Sequence, residues 1–240
     1  MKLQLATWPE IETYLERSRS IIVPIGSTEQ HGPTGMIGTD ALCPEIVADG
    51  MAEEKELLIG PTLSIGMAQH HLAFPGSVSL RPSTLIRVVS DVVESLAGHG
   101  FEHFFFLNGH GGNIATVQAA FSEIWASASF AGRDSGLRLQ LHNWFQGPRV
   151  VRLSRELYGD GDGSHATPSE ISLVLSGYPQ AERDVALEPK MPPSGSIRDA
   201  RDFRRQHPDG RMGARSDLAT AEHGRRLRDA AVADALEVFG

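Results

Sequence analysis

The chain has one cysteine, Cys43, among 240 residues. No intrachain disulfide can form, and such usage fits a reducing compartment. No apolar run approaches the roughly 20 residues that a bilayer-spanning helix needs. The opening Met1-Lys2-Leu3-Gln4-Leu5-Ala6-Thr7 turns polar too soon for a secretory leader. A soluble, cytoplasmic protein without a membrane partner is therefore expected. Positive charge is also scarce. Lys and Arg number 22 against 30 Asp and Glu, giving a formal net charge of −8. The basic pairs are confined to Arg204-Arg205 and Arg225-Arg226, which argues against a nucleic-acid surface. Neither an internal repeat nor an interdomain linker appears, so residues 1–240 read as one domain. Its 40 % hydrophobic residues are enough for one large core.

The apolar runs are short and alternate with helical patterns. Thr7, Pro9 and Glu10 form a capping box ahead of a first helix. Ile21, Ile22, Val23 and Ile25 are a buried strand ended by Gly26. A helix follows from about Asp40 to Glu54, with Pro44 expected in its first turn. Leu57–Ile59 read as a second strand, broken at Gly60-Pro61 and extended by residues 62–66. A long helix from Pro82 to Leu96 stops at Gly98 and Gly100. Phe104–Leu107 is a strand buried on both faces. It leads through a glycine-rich turn into the helix bearing Val117, Ala120, Phe121, Ile124 and Trp125. Leu137–His142 is a further strand, and Thr167-Pro168 caps another helix. Residues 178–213, rich in Pro, Arg, Asp and Gly, read as irregular, exposed chain suited to packing against another subunit. A C-terminal helix spans about Asp217 to Val238. Strand, turn and helix in this order indicate a doubly wound α/β unit, whose ligands sit at strand C-termini.

The chemistry-bearing residues follow those strand ends. Glu29 and His31 are two apart and point the same way in extended chain, and Asp40 comes after a Gly/Pro-rich loop. Two carboxylates and an imidazole are ordinary ligands for a divalent metal, although a polar capped loop would look the same. His110 lies at the centre of Asn108-Gly-His-Gly-Gly-Asn113, which lacks the Gly-Lys-Ser/Thr of a phosphate loop. It reads as a ligand or as a structural turn histidine. His70 and His71, before the Phe74-Pro-Gly-Ser77 turn, line a pocket or lie on the surface. Glu170, three residues after Thr167, is a capping-box carboxylate or a ligand. The Asp/Gly run at 159–163 resembles a calcium loop but lacks the glutamate and helix register of an EF-hand.

Taken together, Pro24-Ile-Gly-Ser-Thr-Glu-Gln-His-Gly, Gly38-Thr-Asp, Phe74-Pro-Gly-Ser, Asn108-Gly-His-Gly-Gly-Asn and Ala219-Thr-Ala-Glu-His-Gly resemble the creatininase family of metal-dependent amidohydrolases. The resemblance implies a three-layer α/β fold with a central, mostly parallel sheet flanked by helices. It implies two divalent ions per subunit, Zn²⁺ or Mn²⁺ with Fe²⁺ also known in the family, and a homohexamer acting on a small-molecule amide. It places Glu29 and His110 on one metal, His31 on the other, and Asp40 between them. Creatinine-hydrolysing members carry a glutamate where this chain has Gly112, and Glu170 either completes the second ligand set or holds one of its ligands from outside it. His165 is the expected proton-transfer residue, with Glu170 beside it. Trp144, His71, Ser77, Gly111 and Asp162 are expected around the substrate. Those members also carry a second tryptophan at the position of Gly161. The expected activity is hydrolysis of a cyclic or N-formyl amide C–N bond by metal-activated water. The rival is a small-molecule binder or structural hexamer component that has lost its second metal.

Overall fold

The computed structural model describes residues 1–240. Strands β1 (Ser20–Ile25), β2 (His103–Asn108) and β3 (Arg138–Asn143) pair in parallel in the order β1-β2-β3. Ser20 stands opposite His103 and Ile25 opposite Asn108, so the strands finish level. β3 keeps that register, with Asn143 opposite Asn108.

A parallel sheet must be covered on both faces, and strand alternation supplies two apolar faces. Ile21, Val23, Ile25, Phe104 and Phe106 pack against α1 (Trp8–Leu15), α3 (Pro82–Ala97) and α4 (Ile114–Phe130). Ile22, Phe105 and Leu107 pack on the other side against α2 (Thr39–Glu54), α5 (Pro148–Tyr158), α6 (Pro168–Gly177) and α8 (Ala221–Phe239). The result is the expected three-layer arrangement.

The capping box of α1 forms, with Thr7 N–H donating to Glu10 at 2.6 Å. That of α6 forms likewise, with Glu170 N–H donating to Thr167 Oγ1 at 3.2 Å.

Four elements depart from the sequence reading. Residues 57–63 run beside β1 without becoming a regular strand. They are held by Ile22 N–H to Leu58 O and Leu63 N–H to Pro24 O, both 2.9 Å, and Pro61, which has no N–H, interrupts the ladder. Pro44 lies in the second turn of α2, not the first, leaving the Asp40 carbonyl without its usual i+4 donor. α5 has no counterpart in the sequence reading. Residues 178–213 are not simply exposed. They hold α7 (Ala200–Gln206), Phe203 and the fully buried Arg211. Arg211 donates to Asp209 at 2.8 Å, Lys190 O at 3.0 Å and Pro189 O at 2.6 Å, which ties the segment to itself.

One close approach positions the functional edge. A Cβ at Gly26 or at Gly109 would collide with the backbone carbonyl of Asp40. Glycine at both strand ends therefore lets the first turn of α2 descend onto the C-terminal edge of the sheet.

Candidate metal centre

Three loops leave that edge, and each brings a functional side chain inward. The loop after β1 carries Glu29 and His31, buried to 0 % and 1 % exposure. The first turn of α2 supplies Asp40. The turn after β2 supplies His110, and its frame is built by two asparagines. Asn108 Nδ2 donates to His110 O at 2.7 Å, and Asn108 Oδ1 accepts from His110 N at 3.1 Å. Asn113 Nδ2 donates to Gly26 O at 2.9 Å, tying this turn to the end of β1. From the opposite side come His165, just before α6, and Glu170, in its first turn.

Asp40 is the meeting point. His31 Nε2 lies 3.1 Å from Asp40 Oδ1 and 3.8 Å from Glu170 Oε2. His110 Nδ1 lies 2.9 Å from Asp40 Oδ2, and His110 Nε2 lies 3.4 Å from Glu29 Oε2. Two sets share Asp40: Glu29, Asp40 and His110 form one, and His31, Asp40 and Glu170 the other. Within each set the donor atoms lie within 4.8 Å of one another. Glu29, His31 and His165 form a third overlapping set.

Backbone carbonyls orient the rings of His31 and His110. His31 Nδ1 is 3.1 Å from Glu29 O and His110 Nε2 is 2.9 Å from Met67 O. A carbonyl only accepts, so these nitrogens carry the protons. The other nitrogens, His31 Nε2 and His110 Nδ1, face the carboxylates, where a bound cation would displace their protons and take the freed lone pairs.

The charges fit a cation. Three carboxylates, Glu29, Asp40 and Glu170, converge in a cavity whose lining contains no Lys or Arg, and uncompensated buried charge is very costly. Glu29 Oε1 and Asp40 Oδ2 are buried without a hydrogen-bond partner, although histidine nitrogens lie near both. Those contacts are too poorly aligned to be hydrogen bonds, so the oxygens remain free for an ion. Burial alone would lower His31 and His110. The carboxylates Asp40, Glu170 and Glu29 around His31, and Glu29 and Asp40 around His110, instead raise each to about 10. Burial would raise Asp40, but the same two histidines hold it far below the ordinary carboxylate range. Burial pushes Glu170 up to about 7, with His31 opposing and Asp40 adding to it. A mixed imidazole/carboxylate set suits Zn, Mn or Fe, and the two sets that share Asp40 are donor sets of that kind.

The cavity beyond the cluster has a volume of about 570 Å³. Trp144, Gly111 and Asp162 line it, together with His70, His71, Ile197 and Phe145. The Trp144 indole N–H is buried and has no partner. A Cβ on Gly111 would meet nothing within 4 Å, so this side is open. Ser77 is not brought to the cavity; its hydroxyl accepts from Gln30 N–H at 3.1 Å. Gly161 is buried against Arg215 instead of facing the cavity.

His70 and His71 are both buried. Burial, reinforced by His71, lowers His70 to about 4. Phe203 packs on His71 with ring centroids 4.7 Å apart. Its contribution was invisible in the polar sequence around it. Burial likewise pushes His165 well below its ordinary value, with His31 and His71 adding to the effect. Gln30 also emerges as part of the site, bonded to both His71 and His165. Its place between Glu29 and His31 was the only sign of this in the sequence.

The creatininase family model, described as creatinine amidohydrolase, matches residues 4–239. A curated creatinine amidohydrolase of Pseudomonas putida is 29 % identical over 185 residues, covering 72 % of this chain and 70 % of that protein. A mycofactocin precursor peptide peptidase of Mycolicibacterium smegmatis is 33 % identical over 122 residues, covering 48 % of this chain and 47 % of that protein. The match thus spans about half of the peptidase. Among solved structures, a mutant creatininase complexed with creatine superposes with a TM-score of 0.87 at 24 % identity, over 99 % of this chain and 96 % of that one. The manganese form of creatininase gives 0.85 at 25 % identity over the same shares.

Proposed function

The chain belongs to the creatininase family of hydrolases, and on that premise we propose that it is a dinuclear metal amidohydrolase. Its reaction is hydrolysis of a non-peptide C–N bond, in a cyclic or N-formyl amide. The carrying observation is the pair of three-residue sets that share Asp40. Glu29 and His110 would hold one ion, His31 and Glu170 the other, with Asp40 touching both. Bound there, Zn²⁺, Mn²⁺ or Fe²⁺ supplies a water of lowered pKa and a Lewis-acidic site for the substrate carbonyl.

The remaining work falls to side chains. His165 Nε2 lies 2.7 Å from Gln30 O, so its proton sits there and Nδ1 presents a lone pair. Burial keeps the ring neutral at pH 7. His165 is thus the base that takes a proton at Nδ1. Because burial disfavours its charged form, it passes that proton readily to the leaving nitrogen. Glu170 has two duties, since Oε1 accepts from Thr167 N–H at 2.5 Å while Oε2 faces His31. That carboxylate supplies the acidic ligand absent at Gly112, which favours the two-metal enzyme over a scaffold that has lost its second metal.

Elemental analysis of purified protein and variants tests this reading. Asp40→Ala is expected to lose most bound metal and all hydrolysis. Glu170→Gln is expected to lose about one equivalent. Full metal content in Asp40→Ala would defeat the assignment, and unchanged content and rate in Glu170→Gln would reduce that residue to a helix cap.

A further inference from the structure

Gln30 is 6 % exposed, and the backbone fixes which way its amide points. Gly32 N–H donates to Oε1 at 2.8 Å, and Nε2 donates to Gly210 O at 3.0 Å. Reversing the amide would oppose donor to donor and acceptor to acceptor. Nε2 also lies 2.9 Å from His71 Nδ1 and 2.9 Å from His165 Nε2. His165 Nε2 already donates to the Gln30 carbonyl, so it cannot accept from the amide. The second amide hydrogen therefore goes to His71 Nδ1. This leaves the His71 proton on Nε2, which is 3.2 Å from Glu29 Oε1. The His71 ring is clamped. It stacks on His165 at 4.3 Å, lies 4.2 Å from His70, and meets the edge of Phe203. What Gln30 governs is thus where the ring carries its proton, not how the ring is turned.

We infer that Gln30 is a positioning residue of the metal centre: it fixes the tautomer of His71, so that the ring presents an N–H and not a lone pair to the Glu29 carboxylate 3.2 Å away. The inference rests on Glu29 being a ligand, as proposed above. A histidine ligand must offer a lone pair to the ion. His71 offers a hydrogen instead, and its other nitrogen is occupied by Gln30, so it does not ligate metal. Ser27 Oγ donates to the other oxygen, Glu29 Oε2, at 2.8 Å. Oε2 is thus hydrogen-bonded, while Oε1 faces the His71 N–H without an aligned hydrogen bond and keeps its lone pairs for an ion.

The test uses full-length protein, metal-depleted and titrated with Mn²⁺ by calorimetry. Gln30→Met keeps volume and removes the donor. His71→Phe keeps the ring and removes both nitrogens. His71→Gln restores an N–H, and the two His71 variants carry the test if Gln30→Met does not fold. Gln30→Met and His71→Phe are expected to bind Mn²⁺ about 10- to 100-fold more weakly, with stoichiometry kept at saturation and KM unchanged in metal-saturated protein. His71→Gln should recover part of the loss. In metal-free protein, ¹⁵N NMR of ring-labelled histidine should find the His71 proton on Nε2 in the wild type, and that preference lost in Gln30→Met. Wild-type affinity in both variants, or a His71 proton on Nδ1, would overturn the inference alone. A rise in KM with unchanged Mn²⁺ affinity would do the same and make His71 a substrate contact. A wild-type protein that binds no Mn²⁺, Zn²⁺ or Fe²⁺ would remove the metal centre itself and the inference with it.

Discussion

At position 112 a Cβ would collide with His110 Nε2 and come within 2.7 Å of Met67 O, the two atoms whose hydrogen bond orients the His110 ring. Glycine is required there because the ring lies directly over the backbone. A larger side chain at this point needs a different path for residue 67. Gly112→Ala is accordingly expected to displace His110, to weaken Mn²⁺ binding at the Glu29 set, and to cost about 1–3 kcal/mol of stability. Calorimetric Mn²⁺ titration and denaturant unfolding would check both. Asp162 presents a different residue-scale question. Burial raises its carboxyl, and the bonds from Ser169 and Ser154 only partly offset this. A carboxyl whose folded pKa lies above its unfolded value binds protons more readily when folded, so it gives stability as pH falls and costs stability once ionised. Asp162→Asn should therefore melt higher than wild type at pH 7, with the difference shrinking as pH falls through the folded pKa. A pH series of melting temperatures reads this directly. Glu29, His31, Asp40 and His110 stood out in the sequence because strand ends of one polarity bring such residues to one edge. The parts played by Gln30 and His71 were not legible, because Gly210 O and the Gln30 carbonyl decide them and neither shows in residue type.

Helix α5 was hidden for a related reason. Its N-cap is Gly147, which has no side chain to signal a start. The capping carboxylate comes from α8: Asp234 Oδ2 accepts from Arg149 N–H at 2.9 Å and Val150 N–H at 3.1 Å. Local capping patterns announced α1 and α6, whereas a cap supplied across the tertiary structure left no local trace. Asp234→Ala should cost about 1–2 kcal/mol, the range for a lost cap, in denaturant unfolding with metal content unchanged. The segment 178–213 was misjudged on composition. Its Arg, Asp, Pro and Gly content masked two anchors, Phe203 under the histidine cluster and Arg211 beside Gly32. The strands and the helices packed on them were readable because alternation and helical periodicity are local properties. The residues 57–63 were readable as extended chain, but Gly60-Pro61 keeps them from a regular ladder.

For the whole molecule, the layered fold sets the size of the space in front of the metal centre. At about 570 Å³ the cavity is in the range that holds drug-sized ligands, far more room than a small flat ring needs. Trp144 gives one aromatic wall. No tryptophan faces it from position 161, since Gly161 is turned into the protein, and Gly111 adjoins open space. A creatinine ring would be stacked on one side only. Losing one stacking partner worth about 1 kcal/mol costs under tenfold in binding. Poor orientation of the scissile bond costs more, because reaction depends on near-attack geometry. A longer or more polar amide can fill the cavity and be held in register. Metal-replete enzyme is therefore expected to turn over N-formyl amides or substituted lactams and to act on creatinine poorly. Steady-state assays across both substrate classes decide the matter: creatinine turnover within the usual enzymatic range of about 1–1,000 per second would mean that one wall suffices, and that the open side at Gly111 does not select the substrate.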